Sequence, residues 1–396
     1  MTLPTIPTGA LAAGLFLLAA CTFAVATPIT PSRDDEVVEV LPAVAGNRGE
    51  ARQLRKRLAE RPDDAGLALA VARGYLEQAH ASGAPRVAGH ALAALRPWPD
   101  PAAAPDDVLF MRATLQQYLH EFDASVASLR VLLARPGGAG RPQTWLTLAT
   151  VLRVQGRYAD SDLACREVAR SGSAVYGAGC QAENAALRGD TVAARQELQR
   201  LLADPASPAA ARGWLTTSLA ELEERDGRAA AADAAYRSVL RLGPDSYVRI
   251  AYADFLIAQR RPREALRLLQ AEARSDTVVL RLAIAGSMAG AAASAASTTA
   301  QRDVAEMRER IALANERPEA RVFHGREQAM FALFVERAAE PALLLARGNV
   351  ARQREPLDLL VLAQAARASG RPEALDEVRR LKAAQGLHDR RIDALL

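Results

Sequence analysis

Five copies of one spacing pattern constrain the fold of this chain more than any other feature of its sequence. The first copy consists of five residues at successive offsets of 7, 5, 4 and 3: Ala113, His120, Ser125, Leu129 and Leu132. The later copies each begin with an alanine 36, 33, 38 and 33 residues further on: Ala149, Ala182, Ala220 and Ala253. A repeat of this length indicates stacked helical hairpins, because each hairpin can bury its apolar face only against a neighbour.

Each position of the pattern has a physical reason. The alanine lies where the two helices of a hairpin cross, since only a small side chain allows the backbones to approach closely. The residue seven positions later ends the first helix, and glycine does so without steric strain in the left-handed conformation. Three copies have glycine there, whereas His120 and Arg260 replace it in the first and last copies. The apolar residues that follow lie on one helical stripe that faces the next hairpin.

The pattern resembles the tetratricopeptide repeat, a helix-turn-helix unit of about 34 residues. The best copy runs from Trp145 through Ala149, Gly156 and Tyr158 to Ser161, and the resemblance covers about residues 65–275. It implies an all-α fold, a right-handed α-solenoid of at least five helix-turn-helix repeats. We therefore expect more than about 60% helix and no sheet, since the alanine-rich composition also favours helix.

The regions on either side of the repeats are less regular. Residues 47–275 are predicted to form the solenoid, starting with an arginine-rich helix over 47–60 and an atypical capping hairpin. Residues 276–396 are interpreted as degenerate helical repeats, with a separate helical bundle as the alternative. Helices are expected there at about 302–314, 320–338 and 341–353, followed by a final hairpin over 357–369 and 373–385.

The N-terminal segment predicts export. Residues 1–32 carry no charged side chain, and residues 9–20 form an apolar run that is too short to span a bilayer as a mature helix. Residues 1–26 read as a signal peptide cleaved before Thr27, or residues 1–20 as a lipoprotein signal with Cys21 lipidated. Residues 27–46, rich in proline, are a linker. The expected location is the periplasm, with the protein either soluble or anchored by lipid to the outer membrane.

The charge pattern argues against nucleic acid as a partner. The sequence pI is about 9.2, but basic residues are dispersed and alternate with Asp and Glu. Nearly all of the positive charge is arginine, since Lys56 and Lys382 are the only lysines.

No catalytic or metal-binding motif is present in the sequence. The five histidines include no two at a metal-binding helical spacing. We therefore predict a protein that is not an enzyme and needs no cofactor or metal. The alternative is an envelope enzyme whose site lies after residue 275.

Two cysteines lie at positions that repeat packing should bring together. Cys165 lies on the second helix of one hairpin and Cys180 on the first helix of the next. The two residues could form a disulfide in an exported protein, or remain apolar core thiols.

The resemblance implies that the first helices of the hairpins line a concave groove that takes a peptide or a partner's helix. The positions that this register assigns to the groove are Tyr118, Arg153, Glu183, Trp214, Glu221, Glu224, Tyr247 and Asp254. Aromatic side chains beside acids suit recognition of a basic or amphipathic segment. The alternative for any one of them is an ordinary solvated surface position.

These observations predict a non-catalytic scaffold of the bacterial cell envelope whose partner is another envelope protein or a peptide. An alternative of the same kind is an outer-membrane lipoprotein that assists assembly of a secretion, pilus or polysaccharide-export machine. In either case, contact with a membrane would be made only through a lipid at Cys21.

Overall fold

The fold is known from a computed structural model that describes residues 48–82, 85–243, 245–290, 294–316 and 325–396. The signal segment, Cys21 and the whole linker lie outside the described residues, as does His324. α-Helices account for 78% of the described part of the chain, which contains no strand. The expected all-α composition is therefore confirmed. The described helices belong to a compact unit formed by residues 49–396, except that the first begins one residue earlier.

Twenty helices follow one another along the described chain. The first three are α1 (Arg48–Glu60), α2 (Ala65–Ser82) and α3 (Pro85–Ala94). The next ten are α4 (Asp106–Tyr118), α5 (Phe122–Ala134), α6 (Pro142–Val154), α7 (Tyr158–Arg170), α8 (Ala174–Leu187), α9 (Thr191–Ala203), α10 (Ala209–Arg225), α11 (Ala229–Leu240), α12 (Ser246–Ala258) and α13 (Pro262–Leu269). The last seven are α14 (Asp276–Ala289), α15 (Ser294–Asn315), α16 (Gly325–Phe334), α17 (Ala339–Val350), α18 (Pro356–Ser369), α19 (Pro372–Gln385) and α20 (Arg390–Asp393).

From α2 to α19 the helices pack as nine consecutive helical hairpins, each against the next. The alanine that starts each copy is buried at the crossing; Ala113, Ala149 and Ala220 are fully buried. In two hairpins the small residue of the second helix also bonds to the first. The Oγ atoms of Ser125 and Ser161 each donate to the carbonyl of the crossing alanine, over 2.8 Å. The spacing of 12 residues between alanine and serine thus corresponds to a direct hydrogen bond between the two helices.

The turn position takes the left-handed conformation whether or not it is glycine. Gly156 has a φ of 74°, and His120 and Arg260, which replace glycine in this position, have φ values of 59° and 58°. The amide that follows Gly156 donates to the carbonyl of Leu152 over 2.9 Å, which closes the end of the helix. Replacing glycine by His120 or Arg260 therefore leaves the left-handed backbone conformation of the turn unchanged.

The hairpins continue beyond residue 275. Helices α14 to α19 form three more pairs, and Arg337 and Gly370 provide their left-handed turns at φ values of 58° and 68°. Helix α14 was not predicted, and α15 starts earlier than expected, at Ser294. No helix in the described ranges is long and apolar enough to cross a membrane.

Candidate functional site

The first helices of four hairpins, α6, α8, α10 and α12, face an inner cavity of about 510 Å³. Five of the eight predicted groove residues line it: Arg153, Glu183, Trp214, Glu221 and Tyr247. Gln117, Leu146, Thr150, Tyr176 and Arg225 add to its wall. Glu355 and Pro356, which come from the start of α18, complete the wall. The predicted groove surface therefore faces a part of the same chain.

One wall of the inner cavity combines an aromatic pair with a carboxylate that accepts hydrogen bonds at one oxygen and forms an ion pair at the other. The rings of Trp214 and Tyr176 stack with centroids 5.8 Å apart. Trp214 Nε1 donates to Glu183 Oε1 over 2.9 Å, and the Ser218 hydroxyl donates to the same oxygen over 2.6 Å. Arg153 forms an ion pair with the other oxygen. Glu183 is thus neutralised within the wall, and Trp214 is held rigidly.

The inner cavity is also lined by a less neutralised acid, Glu221. The Tyr247 hydroxyl donates to Glu221 Oε1 over 2.7 Å, while Arg225 lies 3.7 Å from the other oxygen. Burial raises the pKa of Glu221, and the nearby Arg225 charge only partly opposes this. Tyr247 as a residue remains 61% exposed, and it lines the cavity. Tyr247 and Glu221 therefore offer an apolar surface and a negative charge side by side.

Glu224 and Asp254 line a smaller neighbouring cavity of about 170 Å³, which Glu221 and Tyr247 also line. Asp254 accepts two hydrogen bonds from the buried Arg281 guanidinium, over 2.9 and 2.8 Å. Glu224 accepts one from Tyr236 over 2.8 Å and forms an ion pair with Arg391 near the C-terminus. Both acids already have cationic partners within the chain.

Tyr118 lies in a third cavity, of about 460 Å³, whose wall also contains Gln117, Val154 and Glu355. Its hydroxyl donates to the Ala79 carbonyl over 2.9 Å, and burial raises its pKa. Tyr118 is therefore separated from the acids, although Gln117 borders both cavities.

Sequence reasoning missed the C-terminal segment. Residues 385–391, here called the strap, contact the turns of three earlier hairpins. The His388 amide donates to the Leu187 carbonyl over 2.7 Å, and Gln385 packs against Gly156. Just before α18, the Arg354 amide donates to the Val154 carbonyl over 2.8 Å. No sequence signal indicated these contacts, since repeat spacing reports only neighbouring helices.

A buried ionic cluster joins α16 to the start of α18. Arg326 pairs with Glu355 and Asp358, and Asp358 also accepts a hydrogen bond from Asn349 over 2.6 Å. Burial raises the pKa of Asp358 to about 6, while Arg326 holds the pKa of Glu355 below its usual range. Because Glu355 and Asp358 also form the capping box of α18, the cluster has a structural explanation.

Cys165 and Cys180 are joined by a disulfide between α7 and α8, with their Cα atoms 5.5 Å apart. Both side chains are fully buried. Over the described ranges, no group of three His, Cys, Asp or Glu side chains is arranged to hold a metal ion.

Comparison with known proteins finds no matching family model and no matching curated protein. Several solved structures are similar, two of them as follows. A tetratricopeptide repeat protein from Parabacteroides merdae is 13% identical, with 70% of this chain and 98% of that chain covered and a TM-score of 0.37. Yeast Tom70 is 11% identical, with 85% and 81% covered and a TM-score of 0.38. The chain's own repeat, its consecutive hairpins and its left-handed turns give it a tetratricopeptide-repeat-like fold.

Proposed function

We propose that this protein is a non-catalytic scaffold that binds a basic or amphipathic segment of another protein in the inner cavity. The observation that carries the proposal is the pairing of Tyr247 with Glu221. An exposed aromatic side chain next to an acid whose ion-pair partner, Arg225, lies 3.7 Å away can receive both the apolar and the charged part of such a segment.

The inner cavity suits a side chain or a short extended segment better than a folded domain. Its volume of about 510 Å³ is in the range of sites that enclose small groups. Three aromatic rings, Tyr176, Trp214 and Tyr247, line it together with the polar side chains of Thr150 and Ser218. Partner specificity would come from these few polar contacts, and affinity from the rings.

We further propose that the protein works in the bacterial cell envelope. The uncharged apolar N-terminal segment and the Cys165–Cys180 disulfide both support this, because disulfides persist mainly in oxidising compartments. The intact mass of the protein purified from its host tests the proposal. A chain that starts at Thr27, or at a lipid-modified Cys21, supports export, and a chain that retains Met1 contradicts it.

Partner capture tests the binding proposal. Trp214→Ala is a poor probe, because a Cβ built on Gly179 would lie 2.7 Å from the Trp214 ring, so the ring is itself part of the packing. Tyr247→Ala removes an exposed ring and should weaken capture about 30-fold if the ring is a hot spot of about 2 kcal/mol.

The matched control is Leu344→Ala, which truncates a side chain on α17 that is 73% exposed. It should leave capture unchanged. Equal capture by the parent protein and by folded Tyr247→Ala would show that the partner binds another surface.

A further inference from the structure

We propose that the strap is an intramolecular occupant of the acidic part of the groove, and that a partner's basic segment competes with Arg391 for Glu224. This inference rests on the proposed function, since it concerns how access to that site is regulated. The strap then acts as an autoinhibitory segment.

The strap follows the turns of three successive hairpins. Gln385 lies against Gly156, His388 against Gly189, and Arg390 against Gly227, where a Cβ on the glycine would lie 2.7, 3.3 and 3.6 Å from the strap. A side chain larger than hydrogen at the first of these turns would collide with the strap. The glycines that end the first helices thus also form the surface over which the strap runs.

Apolar residues anchor the chain on either side of Arg391, at Leu387 within the strap and at Ile392 just after it. Leu387 and Ile392 are buried and belong to the same hydrophobic cluster as Tyr158 of α7 and Leu187 of α8. The amide of His388 is bonded to the Leu187 carbonyl between them. This arrangement fixes the backbone on either side of the position that enters the groove.

Arg391 is the strap residue that reaches the groove acid. The fully buried Asp389 accepts from Arg391 Nε over 3.0 Å and from a terminal nitrogen over 2.7 Å. The remaining terminal nitrogen pairs with Glu224. A buried carboxylate therefore orients the guanidinium towards the groove, which is the contact that a partner's arginine would make.

The contact between Arg391 and Glu224 is accessible from the small neighbouring cavity, which both side chains line. The Arg391 side chain is 24% exposed and the Glu224 side chain 12%. A tethered group has an effective concentration in the millimolar range for short links. A segment that offers only one arginine would compete poorly, whereas one that also engages Tyr247 gains binding energy that the strap lacks.

The test measures binding of a fluorescein-labelled nona-arginine peptide by anisotropy at low salt. The proteins compared are the full-length parent and the variant Arg391→Ala, with Arg371→Ala as control. Arg371 makes a comparable pair with Glu340, but on an exposed surface away from the strap. We expect Arg391→Ala to bind the peptide about tenfold more tightly than the parent, and Arg371→Ala to match the parent. Adding Glu224→Gln to Arg391→Ala should remove the gain.

Hydrogen exchange of the unmodified parent gives a second measurement that does not depend on a variant folding. Saturating peptide should increase exchange at the His388 amide at least about tenfold, while amides in α2 and α3 stay unchanged.

Two outcomes would overturn the inference and leave the proposed function standing. One is equal affinity of the parent and of Arg391→Ala for the peptide, and the other is saturable peptide binding that leaves hydrogen exchange at the His388 amide unchanged. Absence of binding to both proteins would remove the basic-segment proposal and this inference together.

Discussion

Replacing Gly156 by alanine probes the contact between the strap and the repeats, because the same repeat position provides its own control. Gly156 and Gly227 end the first helices of two hairpins with φ values of 74° and 75°. A Cβ on Gly156 would lie 2.7 Å from the Gln385 side chain, whereas one on Gly227 would meet only Arg390, at 3.6 Å. The two substitutions differ in the strap contact and not in backbone conformation.

The expected magnitudes follow from this difference. Both variants force alanine into the left-handed conformation, which costs roughly 1–2 kcal/mol. Gly156→Ala must also displace the buried Gln385 side chain, and overpacking of this kind costs about 1–3 kcal/mol. Because Gln385 is flexible, we take the lower end and expect Gly156→Ala to be less stable than Gly227→Ala by about 1 kcal/mol.

Hydrogen exchange is the appropriate assay, since a stack of repeats need not unfold in one step. Gly156→Ala should raise exchange at the His388 amide about fivefold relative to Gly227→Ala, which corresponds to about 1 kcal/mol. Thermal melting should show the same order of stability. If the two variants have equal melting temperatures and equal strap exchange, the strap does not pack on Gly156 in solution.

Three further predictions concern the repeat, the disulfide and the groove. Ala220→Leu should overpack the fully buried crossing of α10 and α11 and destabilise the protein by roughly 1–3 kcal/mol. The control Ala230→Leu, on the exposed face of α11, should leave the melting curve unchanged. In thiol titration of unfolded, unreduced protein, Cys165 and Cys180 should not react, and two reactive thiols would disprove the disulfide. Replacing both cysteines by serine should lower the free energy of unfolding by about 3 kcal/mol, given their separation of 15 residues. Burial raises the pKa of Glu221, so peptide affinity should fall with decreasing pH while an ordinary glutamate is still ionised; a Glu221→Gln protein with the same pH profile would refute this.

The hairpins could be predicted because their signal is local. The 12-residue spacing from Ala149 to Ser161 corresponds to a hydrogen bond across one hairpin, so the sequence carries the contact directly. The turn position was also predictable where glycine was missing, since His120 and Arg260 keep both the spacing and the left-handed conformation.

Helix α14 shows where local reasoning fails. Eight of its residues from Val278 to Ala285 are buried in succession, Arg281 among them, because other helices surround it on several sides. A helix buried all round loses the alternation of apolar and polar residues on which periodicity depends. The burial of the charged Arg281 could not be predicted from the sequence, because it depends on an ion pair with Asp254 of the preceding hairpin.

The contacts of the strap could not be predicted from the sequence for a different reason. Its ion pair joins Glu224 to Arg391 across 167 residues, and repeat spacing reports only contacts between consecutive helices. The register placed the groove acids on the inner helices, but it could not show that Glu224 and Asp254 are already paired.

Site-specific photo-crosslinking tests the central claim, that the inner cavity holds a segment of a partner protein. A photoreactive phenylalanine analogue is placed at Tyr247, which faces the cavity, or at Leu344, which is exposed on α17. Both proteins are irradiated in their native host. We expect the protein labelled at position 247 to form a discrete partner adduct, which is weakened by Glu221→Gln, and the protein labelled at position 344 to form none. An adduct formed from 344 and absent from 247 would contradict the central claim.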